Sequence, residues 1–234
     1  MALYQHAFLI TGAAGHLGRA VAQRLAEAGA QLLLVDRDAA ALSKAFAAVP
    51  NLLPFAADLM DPAQAQAAVQ AGVTRFGRLA GLCHIAGGFR MGEAVHETSD
   101  ATWDFLFDLN VRTFVNMSRA LVPHLIQQGS GKIVTIGATA AQRGMAQMGA
   151  YCASKSSLIR LTEAMSAELK RHHINVNCVL PSIIDTADNR AAMPDADPAH
   201  WVSPAALADV IAFLVSDAAR AIHGAAVPVT GLSG

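Results

Sequence analysis

The feature that most constrains the fold is a strand, a glycine-rich turn and a helix in immediate succession near the N-terminus. Residues Tyr4–Ile10 form an apolar run of strand length, and the segment Thr11–Gly18 that follows contains three glycines. Residues Arg19–Ala28 then carry apolar side chains at helical spacing. In this order, glycines let the backbone approach a pyrophosphate, and the helix N-terminus offers free N–H groups. The sequence therefore predicts a dinucleotide-binding unit.

An acidic residue follows the second predicted strand, Gln31–Val35. Asp36 comes 18 residues after Gly18, near the usual interval to a carboxylate that binds the ribose of NAD. Such a carboxylate accepts a hydrogen bond from the adenosine 2′-OH and repels a 2′-phosphate. We therefore expect a preference for NAD(H). NADP(H) is the alternative cofactor, because the guanidinium of the adjacent Arg37 neutralises a 2′-phosphate. The alternative role of Asp36 is that of a turn former.

A tyrosine and a lysine stand four residues apart in a segment that is predicted to be a long helix. At this spacing Tyr151 and Lys155 lie on the same face of the helix. The phenol is a poor proton donor near neutral pH, because its ordinary pKa is about 10. A nearby cation favours the phenolate, so we expect Lys155 to lower the pKa of Tyr151. The pair is typical of general acid–base catalysis.

Strands and helices alternate along the whole chain. This alternation predicts an α/β fold, in which one Rossmann-like, doubly wound parallel sheet of seven strands has helices on both faces. We expect a single domain over residues 1–234, because no linker divides it. Beyond the first two strands, the predicted strands are Leu52–Ala56, Leu82–Ala86, Lys132–Ile136, Asn175–Leu180 and Ala225–Val229. The later helices are Asp61–Phe76, Thr102–Gln128 with a break at Pro123, Gly149–His173 and Pro204–Ser216.

Composition indicates which partners are excluded. The formal net charge is −1 without a basic block, which argues against nucleic acid or a membrane surface as the main partner. The chain has neither a signal peptide nor an apolar run of about 20 residues, so a cytoplasmic location is expected. No metal-ligand spacing is present, and three scattered cysteines are typical of buried thiols. Charged residues make up only 15%, against about 25% in typical soluble domains, which favours subunit contacts.

Together the motifs resemble the short-chain dehydrogenase/reductase family over essentially the whole chain. The glycine turn, the acid after the second strand, an Ala-Gly turn after the fourth strand and the Tyr/Lys pair stand in the order of that family. The resemblance implies an NAD(P)-dependent oxidoreductase that acts on a small molecule as a homotetramer or homodimer. It implies that Tyr151 is the acid/base, that Lys155 binds the nicotinamide ribose, and that Asn110 holds a proton-relay water. The implied cofactor-binding residues are Gly12, Gly15, His16, Leu17, Gly18, Asp36, Arg37, Asp58, Leu59, Ala86, Gly87, Gly88, Tyr151, Lys155, Pro181, Ile184 and Thr186.

The sequence departs from the family pattern at the catalytic serine, whose position holds Ala138. In ketone reduction that serine polarises the carbonyl, and the loss of one such donor costs roughly 3 kcal/mol of transition-state stabilisation, by analogy with oxyanion holes. Thr139 is the nearest hydroxyl, but strand geometry directs it elsewhere. A second departure is the turn after the fourth strand, which begins with His84 where an asparagine is usual.

The departures are similar to those of dihydropteridine reductase-like members of the family, which also have alanine at the serine position. The similarity extends over residues 179–201, which include Trp201, and a substrate lid is expected near residues 186–203. It implies a quinonoid dihydropterin, a strong hydride acceptor that needs a proton donor more than a polarising hydroxyl. An aldehyde, ketone or secondary-alcohol oxidoreductase is the alternative. A non-catalytic dinucleotide-binding subunit is the alternative from another class.

Overall fold

The computed structural model describes Leu3, residues 6–46 and residues 51–233. The first predicted strand begins at Tyr4, which lies outside the described residues together with Gln5. His6 is described and lies outside the strand, which begins at Ala7 and continues to Thr11, one residue beyond the predicted end.

Seven parallel strands form one sheet in the order β3-β2-β1-β4-β5-β6-β7. Because the chain adds strands first to one side of β1 and then to the other, the carboxyl ends of β1 and β4 border the crevice where such sheets bind ligands. The parallel sheet with helices on both faces is confirmed. The strands are β1 Ala7–Thr11, β2 Gln31–Asp36, β3 Leu52–Ala56, β4 Gly81–His84, β5 Gly131–Ile136, β6 Ile174–Pro181 and β7 Ala226–Val229.

Eight α-helices lie among the described residues, and they cover both faces of the sheet. They are α1 His16–Glu27, α2 Ala39–Phe46, α3 Pro62–Phe76, α4 Asp100–Phe107, α5 Thr113–Gln128, α6 Gly149–Leu169, α7 Ala187–Ala192 and α8 Pro204–Leu214. Successive side chains of a strand point to opposite faces. Phe8 and Ile10 of β1 therefore pack in the core that contains α1 and α8. Leu9 packs in the core that contains α3, α5 and α6.

The predicted break in the long helical segment Thr102–Gln128 is at the wrong residue. Pro123 lies inside α5, and the interruption is a single π-helical turn at Asp108–Arg112, between α4 and α5. A π-turn inserts one residue into the helical ladder and is frequent at functional sites. Here the turn carries the buried side chain of Asn110, so the irregularity serves to place that side chain.

Other differences concern the ends of elements. Helix α1 begins at His16, three residues before the predicted start, so Gly18 lies inside its first turn. Helix α6 ends at Leu169 and continues as a short 3-10 turn up to His172.

All three cysteines are buried and free, as expected. Among the described residues, no helix has both the length and the apolar character that a membrane span requires.

Candidate active site

The glycine turn after β1 is a tight cradle with an open helix end. Gly12 has φ +63°, and a Cβ built there would lie 2.8 Å from the backbone nitrogen of Ala86. A Cβ on Gly18 would overlap the carbonyl oxygen of Gly12. By contrast, a Cβ on Gly15 would meet only the Gly12 oxygen, at 3.4 Å. Helix α1 has no side-chain cap and no acidic residue in its first turn, so its N-terminus suits a pyrophosphate.

Asp36, the last residue of β2, holds the glycine turn with its carboxylate. Oδ2 accepts a hydrogen bond from the Ala14 N–H at 3.0 Å, and Oδ1 accepts one from the Asp38 N–H at 3.3 Å. A carboxylate oxygen accepts more than one hydrogen bond, so these contacts leave capacity for a ribose hydroxyl. The neighbouring Arg37 is exposed. The bond to Asp38 matches the turn-forming role that was the alternative expected for Asp36 from the sequence, whereas the bond to the glycine turn was not predicted.

The other predicted cofactor residues lie at or after the carboxyl ends of their strands. Asp58 is exposed and its Oδ1 accepts from the Met60 N–H at 2.9 Å, while Leu59 is buried. Pro181 is the last residue of β6. Thr186 caps helix α7 through the Asn189 N–H, and Ile184 forms a parallel bridge to Val202.

Tyr151 and Lys155 lie together on α6 at the centre of this edge of the sheet. The Nζ of Lys155 is buried and donates to the carbonyl oxygen of Ile136, the last residue of β5, at 2.8 Å. Burial lowers the pKa of Lys155 to about 8. Burial also raises the pKa of Tyr151 to about 12, with a smaller contribution from Cys152. The expected lowering of the tyrosine pKa is therefore wrong for this structure, because desolvation of the phenolate dominates the shift.

Asn110 connects the π-turn to the Ala-Gly turn after β4. Its Oδ1 accepts from the Gly88 N–H at 2.8 Å, and its Nδ2 donates to the Gly88 oxygen at 3.1 Å and to Ser154 Oγ at 3.0 Å. A Cβ built on Gly87 would lie 3.0 Å from both Asn110 Oδ1 and Lys155 Nζ. The structure thus brings the predicted Asn, Lys and Ala-Gly elements into one site.

His84 takes part in a chain of hydrogen bonds that the sequence did not predict. Its Nδ1 lies 3.0 Å from Thr11 Oγ1, and its Nε2 lies 3.3 Å from Thr113 Oγ1. Because Thr113 donates its own proton to the Leu109 oxygen at 2.7 Å, it accepts from Nε2–H of His84. The Nδ1 atom then accepts the Thr11 proton.

This chain fixes both the charge of the histidine and the positions of two turns. Burial, aided by the charge of Lys155, lowers the pKa of His84 to about 3, so the ring is neutral and carries its proton on Nε2. Thr11 Oγ1 in turn accepts from the N–H groups of Ile85 and Ala86, at 3.1 and 3.2 Å. The chain therefore connects the end of β1, the Ala-Gly turn and the π-turn of Asn110. Threonines at the ends of elements give no sequence signal for such a role.

Ala138, at the position of the family serine, is buried in a small apolar cluster against which Tyr151 packs. Thr139 Oγ1 donates to the Pro181 oxygen at 3.3 Å, so its hydroxyl is engaged elsewhere, as expected. A cavity of about 130 Å³ adjoins Tyr151, and it is lined by residues that follow β4, by α4 and by the start of α6. The cavity, the Tyr151/Lys155 pair and the glycine turn thus lie at the same edge of the sheet.

Comparison with known proteins identifies the class. Residues 6–197 match the family described as short chain dehydrogenase, and the chain belongs to that family. It is therefore an oxidoreductase with a Rossmann-like fold.

Its relatives are, by their names, reductases and dehydrogenases, and some of the similar structures were solved with NAD or NADH. The chain is similar to levodione reductase of Leifsonia aquatica, with 32% identity over 95% of this chain and 92% of the relative. It is also similar to 2-dehydro-3-deoxy-D-gluconate 5-dehydrogenase of Dickeya dadantii, with 31% identity over 95% of this chain and 93% of the relative. Carveol dehydrogenase from Mycobacterium avium, solved in complex with NAD, superimposes with a TM-score of 0.90 at 26% identity, covering 98% of this chain and 97% of that structure.

Proposed function

We propose that this protein interconverts a secondary alcohol and a ketone with a nicotinamide dinucleotide, and that Tyr151 handles the proton. The observation that carries the proposal is the placement of Tyr151. Its phenol lies beside the substrate-sized cavity, and four residues further along α6 the buried ammonium of Lys155 is fixed by Ile136. The relatives named above are, by their names, a dione reductase and a dehydrogenase of a sugar-derived acid, which supports this reaction over a binding role without turnover.

The glycine cradle fits a dinucleotide, because its crowded glycines bring backbone close to the crevice and its helix end is free of acidic side chains. Gly12, Gly15, Gly18 and the N–H groups of His16 and Leu17 would hold the pyrophosphate. Asp36 would hold the adenosine ribose, Lys155 the nicotinamide ribose, and the turn of Ala86 and Gly87 would lie along the dinucleotide. Asp58 and Leu59 would flank the adenine, with Ile184 and Thr186 at the carboxamide end. When bound, the nicotinamide accepts a hydride from the alcohol carbon or donates one to the carbonyl carbon.

Tyr151 balances the hydride with a proton. In ketone reduction the phenol donates its proton to the carbonyl oxygen, and in alcohol oxidation the phenolate accepts the hydroxyl proton. Since burial raises the pKa of Tyr151 to about 12, the phenol is protonated at neutral pH and is ready to act as the acid in ketone reduction. Lys155, with a pKa lowered to about 8, keeps most of its positive charge at neutral pH. Its charge stabilises the phenolate whenever one forms.

A quinonoid dihydropterin is the second candidate substrate, and Ala138 is the observation that favours it. The absence of a hydroxyl at this position matters less for an acceptor that is already activated. The segment that resembles the dihydropteridine reductase-like members gives less support. Trp201 is buried, Asp197 caps the turn at Pro198–His200, and Asp185 pairs with Arg190, so these residues stabilise the segment itself.

The proposed function is tested by following the oxidation of NADH and NADPH with a ketone, an aldehyde and a quinonoid dihydropterin. We expect turnover of the ketone, and turnover of the aldehyde alone would contradict the assignment to a secondary alcohol. Turnover of the pterin alone would replace the first candidate by the second. Tight cofactor binding without turnover of any acceptor class would contradict both.

Replacing Asp36 by asparagine should shift the cofactor preference. Asp36→Asn retains an oxygen that accepts the Ala14 N–H, but it removes the charge that repels a 2′-phosphate. We expect the ratio of the NADP(H) and NAD(H) dissociation constants to fall at least about tenfold, which corresponds to about 1.4 kcal/mol. Titration of both cofactors measures the ratio. The control is Asp38→Asn, which removes one negative charge two residues away, at a side chain that accepts a hydrogen bond from the Ala41 N–H. It should leave the ratio of the two dissociation constants unchanged. A wild-type preference for NADPH would show that Arg37 dominates.

Introducing a hydroxyl at Ala138 should improve ketone reduction. We expect Ala138→Ser to raise kcat/KM for a simple ketone about tenfold or more, part of the roughly 3 kcal/mol that one such donor supplies. Turnover of a quinonoid acceptor should change little. Ala140→Ser, which adds the same hydroxyl two residues further along, is the control. If the wild type already reduces simple ketones efficiently and Ala138→Ser adds nothing, another group must polarise the carbonyl.

A further inference from the structure

The cavity beside Tyr151 has an apolar rim. Phe89 contacts Tyr151 edge to face, with ring centroids 4.8 Å apart. Met91 lines the cavity directly. Val95 lies against Gly149 at the start of α6, where an added Cβ would be 2.7 Å from its Cγ2. The Gly92 N–H donates to the Gln147 oxygen at 2.8 Å, which connects the two segments that enclose the cavity.

The rim side chains are unusually exposed for their type. Phe89 is 53% exposed, Met91 56% and Val95 76%. They are three of the eight large apolar side chains that are exposed in the described part of the chain, and Met145, in the segment before α6, is a fourth. A concentration of exposed apolar side chains marks a binding surface, whereas single ones need no explanation. Here half of them belong to the two segments that flank the proposed acid–base residue.

The charged side chains of the cavity do not favour a charged ligand. Glu93 and Arg90 line it with opposite charges. The Glu93 carboxylate accepts from the N–H and Oγ of Ser99 and from Thr102 Oγ1, at 3.2, 3.3 and 3.2 Å. The guanidinium of Arg90 stacks on Phe105, with its central carbon 3.8 Å from the ring centroid. These side chains therefore serve to hold the walls, and their formal charges cancel.

We infer that the substrate is an uncharged alcohol or ketone with an apolar ring or chain, whose oxygen meets Tyr151 and whose body lies against Phe89, Met91 and Val95. This inference rests on the proposed function and narrows its substrate class. It distinguishes the chain from relatives that are named for sugar-derived acids.

The hydroxyls of Thr98 and Thr102 in the cavity wall already donate to the Ala94 oxygen and to Glu93. A polyhydroxylated or anionic body would therefore find few free donors there and would place polar groups against the apolar rim.

The inference is tested with two ketones of different polarity, cyclohexanone and dihydroxyacetone. We expect the wild type to reduce cyclohexanone with the higher kcat/KM. Phe89→Ser should lower kcat/KM for cyclohexanone at least tenfold, mainly through KM, and should change the value for dihydroxyacetone less than threefold. The matched control is Phe213→Ser on α8, where a phenylalanine of similar exposure, 41%, lies outside both segments that enclose the cavity and does not contact Tyr151. This control should leave both values unchanged.

Binding measured by calorimetry separates this inference from the proposed function. Cyclohexanol, added to the protein with NAD⁺ and with NADH, should bind with a negative heat-capacity change, the mark of apolar burial, and Phe89→Ser should weaken it at least tenfold. That result supports the inference even if no ketone is turned over, in which case only the proposed function fails. The inference is overturned if dihydroxyacetone is the better substrate, if Phe89→Ser affects both ketones equally, or if cyclohexanol does not bind.

Discussion

Replacing Tyr151 by phenylalanine should lower kcat at least about 100-fold, within the range of 10²–10⁴ that a positioned acid–base group contributes. Among the described residues, the phenol hydroxyl has no hydrogen-bond partner, and the pKa of Tyr151 is raised because the site is apolar. Removal of the hydroxyl therefore leaves no buried group unpaired, and the free energy of unfolding should change by less than about 1 kcal/mol. Steady-state assays of cofactor oxidation measure kcat, and a thermal melt measures the change in stability.

The contrasting variant is Lys155→Ala, which should damage cofactor binding and turnover together. Lys155 Nζ donates to the Ile136 oxygen within the site, so its removal leaves a buried carbonyl unpaired as well as removing a charge. Tyr151→Phe, by comparison, should bind NAD(H) with nearly the wild-type dissociation constant. Normal turnover by the phenylalanine variant, with either a ketone or an aldehyde, would rule out Tyr151 as the proton donor.

The parallel pairing of the strands and the residues grouped at the centre of the site could be predicted because they depend on local patterns. Strands of five or six apolar residues separated by helical segments require parallel pairing, since each return passes over a face of the sheet. Spacing alone places Tyr151 and Lys155 on one face of α6, and the positions of Asp36 and the glycines follow from their place at strand ends. These features need no knowledge of which segments meet in space.

The irregular turn at Asn110 could not be predicted, because its cause is tertiary. Pro123 is the only obvious helix breaker in the long segment, and the sequence therefore suggests a break there. In the structure the irregularity lies at Asp108–Arg112. There the Thr113 hydroxyl donates to the Leu109 carbonyl oxygen, and His84 forms a hydrogen bond with Thr113. These partners come from β4 and from the turn itself, and no periodicity in the sequence reports them.

The direction of the pKa shift of Tyr151 could not be predicted from the sequence for a related reason. The i, i+4 spacing shows that a cation is near, but it does not show how much water the phenol loses. Phe89, from an irregular segment after β4, covers one side of the ring, and the small cluster around Ala138 covers another. Burial of this kind raises the pKa of an acid, so the sign of the shift depends on the surroundings of the ring and not on the spacing alone.

Gly18→Ala should destabilise the protein by about 2–3 kcal/mol, the upper part of the range for overpacking a tight contact. The added methyl group would overlap the Gly12 carbonyl oxygen and come within 2.8 Å of the Ala13 Cα. Both are backbone atoms that cannot rotate away, so α1 or the turn must move. For a chain of this length the expected fall in Tm is roughly 4–12 °C, and cofactor affinity should fall with it. A thermal melt without and with NAD(H) measures both.

Gly15→Ala is the matched control, since it adds the same methyl group three residues earlier in the same turn. Gly15 has φ −71° and ψ 168°, which alanine adopts without strain, and the added Cβ would meet only the Gly12 oxygen at 3.4 Å. We therefore expect an unchanged or slightly higher Tm, but at least tenfold weaker NAD(H) binding, because the methyl group would lie where a pyrophosphate approaches the helix end. The two glycines would then have separable roles, Gly18 in packing and Gly15 in admitting the ligand. Wild-type NAD(H) affinity in Gly15→Ala would place the pyrophosphate away from this turn, and an unchanged Tm in Gly18→Ala would show that α1 can move aside without cost.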